Sequence, residues 1–242
     1  MTYCSLFVVV VVVAFLIAKQ ESIDAFTAPF GKQPQKQTRR TPCYHDTAMM
    51  ALLGEPICEY LQVPICTSQE GPPRQTISVE DLTPKLVELL NKSGMMNGVV
   101  NVISRHTTTA LCINERESRL AQDMEEYFLT LAPPDERATT ERAKVGIRYH
   151  HNDIDQRPDS SEEAQRCREN GWDIDDEIEL QKWRDQEPIN AHSHLLSMLV
   201  GSSESIPVVN GKMVIGQWQS ILLVDLDGPR DRTVGVQFLG YR

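Results

Sequence analysis

Residues 98–113 have the sequence GVVNVISRHTTTALCI, in which two apolar runs flank a short polar stretch. The first run, residues 98–105, is rich in β-branched side chains, which is typical of a buried strand. The second run, residues 110–113, is also apolar, and His106 to Thr109 separate the two. The pattern predicts two strands joined by a short connection that carries a histidine.

The elements predicted on both sides of this segment indicate an α+β fold. Ser78 suits a helix cap, Gly94 suits the end of that helix, and Asn210-Gly211 is typical of a type I′ hairpin turn. Strands are predicted at residues 55–67, 144–151, 206–209, 212–215, 218–226 and 233–241, and helices at residues 79–92, 116–131 and 190–200. We expect residues 51–242 to form one domain, a largely antiparallel sheet or sandwich with packed helices.

The composition excludes several classes of protein. The chain has 242 residues, of which 40% are apolar and 24% charged, so it is neither wholly disordered nor a polytopic membrane protein. Its 24 basic and 34 acidic side chains give a net charge of −10, which argues against binding nucleic acid through a basic face. Because no phosphate-binding loop or dinucleotide fingerprint is present, we expect no ATP or NAD chemistry.

The N-terminal residues have the composition of a two-part leader. The apolar run at residues 6–18 is short for a membrane span and suits a signal peptide, so residues 1–25 are predicted to be signal-peptide-like. Residues 26–50 form a basic, transit-like segment, and the junction DAFTAPF at residues 24–30 resembles the Ala-Phe-Ala-Pro junction of two-part plastid presequences. We expect import into a plastid, with no membrane attachment after processing. The alternative is a secreted or endomembrane location.

Residues 152–188 differ in kind from the rest of the domain. They contain 13 acidic and five basic side chains, and Trp172 and Trp183 are their main apolar residues. This composition predicts a long surface insertion that the two tryptophans partly order. A lid or docking loop is the functional alternative.

Five histidines of the predicted domain fall in three segments: His106, the pair His150 and His151, and the pair His192 and His194. A catalytic zinc ion takes three protein ligands and keeps a fourth position open. Neighbours on a strand point to opposite faces, and helical residues two apart point about 200° apart, so each pair can supply one ligand. The residues leave open which member serves. Histidines that are simply hydrogen-bonded in the core or at the surface are the alternative.

Several motifs in a fixed order carry a resemblance to a known family. His106-Thr107, Leu111 and Asn114-Glu115 follow the pattern H-T-x-x-x-L-x-x-N-E, and Asp123-Met124-Glu125 follows as D-M-E. Further elements are Tyr149-His150, matched to the family's Y-x-H, Ser193-His194-Leu195 with Gly201-Ser202-Ser203, matched to S/A-H-x-x-x-x-x-x-G-x-S, and Gly216-Gln217-Trp218-Gln219, matched to G-T-W-Q. Together they resemble the YjbQ family, whose members are described as secondary thiamine-phosphate synthases, over nearly all of residues 55–242.

The resemblance implies a YjbQ-like α+β fold, a homotrimer and a divalent metal ion, usually zinc, held by His106, His150 and His194. It also implies a transferase activity that joins hydroxymethylpyrimidine diphosphate to a thiazole phosphate and releases pyrophosphate. The substrate would thus be a small phosphorylated metabolite. Two features depart from the family pattern: Gln217 replaces a threonine, and residues 152–188 are longer than in the compact bacterial proteins, resembling instead the eukaryotic branch.

The remaining site residues are expected to act on the substrate. Glu115 is the catalytic acid or base candidate, with Asn114 to orient a neighbour; a solvated carboxylate at a helix start is the alternative. Arg230 and Arg232 flank a turn and are predicted to clamp a phosphate, unless they form only a charged rim. Thr107 and Gln219, two residues of the family motifs, are also expected to bind the substrate.

Two other functions compete with the transferase. A metal-activated water would equally support hydrolysis of a small phosphorylated metabolite, because a bound metal lowers the pKa of that water. Alternatively, the chain is a non-enzymatic metal-dependent binding protein whose acidic insertion recognises a partner.

Overall fold

The computed structural model of the protein describes residues 54–67 and 77–242. The predicted leader, residues 1–50, lies outside the described residues, so both its processing and the plastid location stay predictions. Among the helices of the described residues, none has the length and apolar character needed to span a membrane.

The described chain folds into eight strands and five α-helices. The strands are β1 (Pro56–Cys66), β2 (Ser78–Asp81), β3 (Asn97–Ser104), β4 (Thr109–Asn114), β5 (Ser203–Val209), β6 (Lys212–Met213), β7 (Ser220–Asp225) and β8 (Asp231–Tyr241). The helices are α1 (Thr83–Ser93), α2 (Ser118–Leu131), α3 (Ser161–Glu169), α4 (Glu177–Gln186) and α5 (Ala191–Val200). The α+β class predicted from the sequence is confirmed.

Two antiparallel sheets and a helical layer build the domain. The five-stranded sheet has the order β1-β8-β3-β5-β6, and the three-stranded sheet has the order β2-β7-β4. Strand β7 contributes to two cores, because successive side chains of a strand point to opposite faces. Leu223 packs between the two sheets, whereas Val224 packs on the other face with Leu129 of α2 and Leu196 of α5. The three-stranded sheet is therefore covered on both sides.

One predicted helix start and one predicted strand are wrong. Residues 78–81 form strand β2 rather than the start of a helix, and α1 begins at Thr83, whose backbone N–H donates to Asp81 Oδ1 at 2.8 Å. Residues 144–151 form turns and a 3₁₀ turn, His150–Asn152, instead of a strand. By contrast, the hairpin turn is confirmed, since Asn210 and Gly211 have φ values of 52° and 72°.

Helices α3 and α4 lie within the acidic insertion. Trp183 is buried and the guanidinium of Arg157 lies 5.5 Å from the centre of its ring. Arg157 also pairs with Glu163 and, at 3.1 Å, with Glu187, which ties the two ends of the insertion together. Trp183 thus anchors this segment, while Trp172 is only partly buried.

Candidate functional site

Two of the predicted histidines line one cavity, which we call the histidine cavity. His106 lies in the connection from β3 to β4, and His194 lies on α5, whose Ser197 hydroxyl donates to the Thr109 carbonyl of β4 at 2.7 Å. This hydrogen bond fixes the helix against the strand that follows His106. The cavity has a volume of about 510 Å³ and is lined by Ser104, Arg105, His106, Thr107, His194, Ser197, Met198, Gly201 and Ser202.

His194 contacts His151, not His150. The ring centres of His151 and His194 are 4.8 Å apart with an edge-on inclination of 67°. The ring of His150 is fully exposed, and its Nδ1 lies 3.8 Å from Asp153. The family spacing Y-x-H, counted from Tyr149, also ends on His151 rather than on His150. His151, rather than His150, is therefore the histidine of this pair that lies next to His194.

A buried carboxylate holds the turn that carries these histidines. Asp135 is fully buried and accepts hydrogen bonds from the Arg137 guanidinium, from the Tyr149 backbone N–H at 2.9 Å and from the Asn152 amide at 3.3 Å. The Arg137 guanidinium holds the pKa of Asp135 well below its usual range. His151 thus sits on a backbone segment that is fixed at both of its ends.

Burial keeps the histidines of this region neutral near physiological pH. It lowers the pKa of His151, an effect to which Arg157 adds, and it lowers the pKa of His194, which His151 lowers further. His192, on the opposite side of α5, is buried with a lowered pKa, and its Nδ1 has no hydrogen-bond partner among the described residues. A neutral imidazole keeps one nitrogen lone pair for a ligand.

His106 is held differently, by the backbone of β8. Its Nε2 accepts the Thr233 backbone N–H at 2.8 Å. Since a neutral imidazole has one N–H and one acceptor nitrogen, its Nδ1 then carries the proton. Burial and the nearby Arg232 lower the pKa of His106, which keeps the ring neutral. In this arrangement His106 donates a hydrogen bond but has no free lone pair.

The ring centres of His151 and His194 have the separation expected of two ligands of one ion. Two imidazoles on one tetrahedral ion have ring centres about 5 Å apart, because each Zn–N bond is about 2.0–2.1 Å; the observed separation of His151 and His194 is 4.8 Å. Among the described residues, no group of three or more His, Cys, Asp or Glu side chains is placed to hold a metal ion. His106 could complete the set only if its ring turned and released Thr233.

The predicted arginine clamp does not face the histidine cavity. Arg232 is buried and forms a two-point ion pair with the fully buried Asp225, with Nε 3.0 Å from Oδ2. Arg230 is about half exposed and pairs with Asp227 at 3.1 Å. The guanidinium of Arg232 is thus committed to an internal carboxylate, and neither arginine is among the residues that line this cavity.

Glu115 and Asn114 lie at the opposite end of β4 from His106. The strand from Thr109 to Asn114 spans roughly 17 Å at about 3.3 Å per residue. The Asn114 side chain accepts the Glu115 backbone N–H at 2.8 Å, so it caps its own neighbour. Gln219 closes a local turn by accepting the Gly216 N–H at 2.7 Å. Within one chain, these three residues do not line the histidine cavity, whereas Thr107 does.

Arg105 and Ser202 line the cavity, although the sequence did not predict a role in the site for either residue. The guanidinium of Arg105 donates to Gln62 Oε1 of β1 at 2.6 Å and is exposed. Its position next to His106 could have predicted this role, because consecutive residues at the end of a strand lie in the same connection.

Comparison with known proteins agrees with the fold and the motifs. A family model described as UPF0047 protein YjbQ-like matches residues 70–241. A UPF0047 protein of Methanothermobacter thermautotrophicus is 35% identical over 175 residues, which cover 72% of this chain and 92% of that protein. The protein YugU of Bacillus subtilis is 24% identical over 66% of this chain and 88% of its own length.

Solved structures of similar proteins have the same fold. A hypothetical protein from Aeropyrum pernix K1 is 31% identical, with a TM-score of 0.53 over 75% of this chain and 98% of that chain. A YbjQ-like protein of unknown function from Sulfolobus solfataricus P2 is 25% identical, with a TM-score of 0.54 over 77% and 99% of the two chains. These relatives are archaeal and bacterial, so they give no support to the likeness with a eukaryotic branch. The match over residues 70–241 shows that the chain belongs to the YjbQ-like UPF0047 family.

Proposed function

We propose that the histidine cavity is the active site of a metal-dependent enzyme that acts on a small phosphorylated metabolite. The observation that carries the proposal is the edge-on contact of His151 with His194, two neutral imidazoles 4.8 Å apart, of which His194 lines this cavity. Two neutral imidazoles do not repel each other as two charged rings would, and each retains a lone pair that can bind a cation.

His151 and His194 would hold the ion, and His106 would join them after its ring releases the Thr233 N–H. Imidazole ligands suit zinc, which is the ion that the family resemblance implies. A bound zinc ion would polarise a phosphate oxygen and lower the pKa of a bound water to about 7.

The substrate phosphate would lie against the cavity residues that donate hydrogen bonds. Arg105 supplies a guanidinium that Gln62 holds at 2.6 Å, and Thr107 and Ser202 supply hydroxyl groups. A planar guanidinium binds two phosphate oxygens at once, which fixes the orientation of the phosphate. The Nδ1–H of His106 adds a neutral donor as long as the Thr233 contact persists.

The finer proposal is transfer rather than hydrolysis. The resemblance of the motifs supports the joining of hydroxymethylpyrimidine diphosphate to a thiazole phosphate, with release of pyrophosphate. The leaving pyrophosphate is an anion that the Arg105 side of the cavity would accept.

Metal content tests the site, because adjacent histidines provide a matched pair of variants. We expect the purified protein to contain about one zinc ion per chain, and His151→Ala and His194→Ala to lose it. His150→Ala should keep it, since that ring is exposed and lies away from His194. Equal zinc content in the His150→Ala and His151→Ala variants, measured by elemental analysis, would refute the assignment.

Turnover tests the reaction. Pyrophosphate release from hydroxymethylpyrimidine diphosphate should require the thiazole phosphate and should be lost in His151→Ala and in Arg105→Ala. Release of inorganic phosphate without the second substrate would instead identify a hydrolase. Zinc binding without turnover of either kind would identify a metal-dependent binding protein.

A further inference from the structure

A second cavity lies between strand β2 and the first two turns of α2, and it shares no lining residue with the histidine cavity. We call it the glutamate cavity; its volume is about 450 Å³. Its walls are β2, the segment that follows β4, the first two turns of α2 and the Gly228-Pro229 turn. On α2 it receives Ser118, Ala121, Gln122 and Glu125, which share one face because their spacing follows the helical repeat.

The charge of the lining excludes an anionic ligand. Four glutamates and one arginine line the cavity: Glu80, Glu115, Glu117, Glu125 and Arg116. The N-terminus of α2 is already satisfied, because Glu117 accepts the backbone N–H groups of Arg119 at 3.0 Å and Leu120 at 2.8 Å. Neither an excess of positive charge nor a free helix terminus is therefore available to a phosphate.

Glu125 is the residue of this lining that needs a ligand. It is only 5% exposed, and it forms no hydrogen bond or ion pair with the part of the chain that the structure describes. Burial raises the pKa of its carboxyl group, and Arg142 opposes this only partly. The carboxyl oxygens reach the open space of the cavity instead of a donor from the described residues, so a ligand that brings N–H donors into the cavity would bind them.

Ser78, on the facing strand β2, is the second such group. Its hydroxyl oxygen is buried and has no hydrogen-bond partner among the described residues. Apolar side chains complete the walls on this side, among them Ile77 and Val79 of the β2 segment and Met124 of α2. The cavity thus combines two unsatisfied polar groups with an apolar wall, which is the usual composition of a small-molecule site.

We propose that the glutamate cavity binds a small organic cation whose head group carries at least two N–H donors, such as an amidinium or a primary ammonium, on an apolar body. The head group donates to Glu125 and to the Ser78 oxygen, and the apolar body packs on Ile77 and Met124. A metal ion does not fit, because no group of three or more ligating side chains is placed to hold one within the described residues. This site is separate from the histidine cavity and does not depend on the proposed function.

Calorimetric titration of the full chain with four probes of one size tests the proposal. Benzamidinium has the charge and the donors, benzyltrimethylammonium has the charge alone, benzyl alcohol has one neutral donor, and benzoate has the opposite charge. We expect benzamidinium to bind most tightly and benzoate not to bind. Equal binding of benzamidinium and benzyltrimethylammonium would overturn the role given to the N–H donors, and binding of benzoate would overturn the charge assignment.

Variants then place the probe in the cavity. Glu125→Gln keeps the shape of the side chain and should weaken benzamidinium binding about tenfold or more, and Ser78→Ala should weaken it about threefold to tenfold. Glu126→Gln removes the same charge from an exposed neighbour and should bind as the parent does. Unchanged affinity in folded Glu125→Gln, or an equal loss in Glu126→Gln, would refute the site. If Glu125→Gln fails to fold, the four-probe comparison on the parent protein still decides.

Discussion

Replacing Arg232 by methionine should destabilise the fold rather than merely weaken substrate binding. Arg232 is 4% exposed and pairs at two points with Asp225, which is fully buried, and its guanidinium also donates to the Asp227 carbonyl at 3.1 Å. Asp225 further accepts the Thr67 hydroxyl at 2.6 Å. Methionine removes the positive charge and leaves the Asp225 carboxylate buried without its counterion.

The expected magnitude follows from that uncompensated charge. Removing one partner of a buried ion pair costs about 3–5 kcal/mol of unfolding free energy. At about 2–4 °C per kcal/mol for a domain of this size, the melting temperature should fall by roughly 6 to 20 °C. Arg230→Met provides the matched control. Arg230 is about half exposed and its pair with Asp227 is at the surface, so the control should cost less than about 1 kcal/mol.

Denaturant unfolding followed by circular dichroism measures both variants. A double variant, Asp225→Asn with Arg232→Met, should cost less than the sum of the single changes, because no unpaired charge remains buried. The reasoning is refuted if Arg232→Met unfolds with nearly the parent free energy. Should it then also lose turnover, the guanidinium acts on the substrate, as the sequence had suggested.

Other changes give equally direct outcomes. Glu115→Gln should retain both zinc and turnover, because the strand β4 separates this carboxylate from the histidines; loss of pyrophosphate release would show that it reaches the reaction. Trp183→Ala should cost about 3–5 kcal/mol and speed proteolytic cleavage of the acidic insertion, since this ring is its buried anchor. In the metal-free protein, the imidazoles of His192 and His194 should titrate below 6.5 by NMR. Below about pH 6.5 these histidines bind protons more readily in the unfolded chain than in the folded chain, so the unfolding free energy should fall as the pH drops. The protein should scatter light as a trimer, and Leu199→Glu, on the exposed face of α5, should yield monomers; a parent mass of one chain would contradict this.

The strands of the two sheets could be predicted wherever their burial is one-sided or complete. In β8, Val234, Val236 and Phe238 alternate toward the core, and the sequence shows that alternation directly. In β7 both faces are buried, and the continuous apolar run from Ile221 to Val224 reflects this. Burial of a strand is thus recorded locally, in its own residues.

The segment at residues 144–151 shows where such a pattern misleads. Val145, Ile147 and Tyr149 alternate with polar residues as in a strand. Val145 is nevertheless 92% exposed, because the backbone of this segment is held by Asp135 instead of by a neighbouring strand. A carboxylate 14 residues away from Tyr149 decides the conformation, and nothing in the local pattern reports such a distant hydrogen bond.

The site could be predicted only in part, because some of its contacts likewise join residues that are distant in the sequence. His106, Thr107 and His194 line one cavity, as their segments suggested. His150 and His151 lie in a 3₁₀ turn rather than on a strand. The rule that neighbouring side chains point apart predicts that only one of them contacts His194, but it does not predict that this one is His151. The buried position of Arg232 likewise depends on Asp225, seven residues earlier on another strand.

The central position of β8 in its sheet sets the order in which the protein can be assembled during synthesis. β8 pairs with β1 along its whole length, Pro56 with Tyr241 through Cys66 with Asp231, and it also pairs with β3. The 165 positions from Cys66 to Asp231 take roughly 8 to 33 s to translate at about 5–20 residues per second. Until β8 emerges, β1 lacks the strand with which it pairs and β3 can pair only with β5, so the nascent chain carries an unpaired strand and an open strand edge. Unpaired strand edges promote pairing with other chains, and loss of β8 alone would separate β1 from the sheet and leave β3 paired with β5 only.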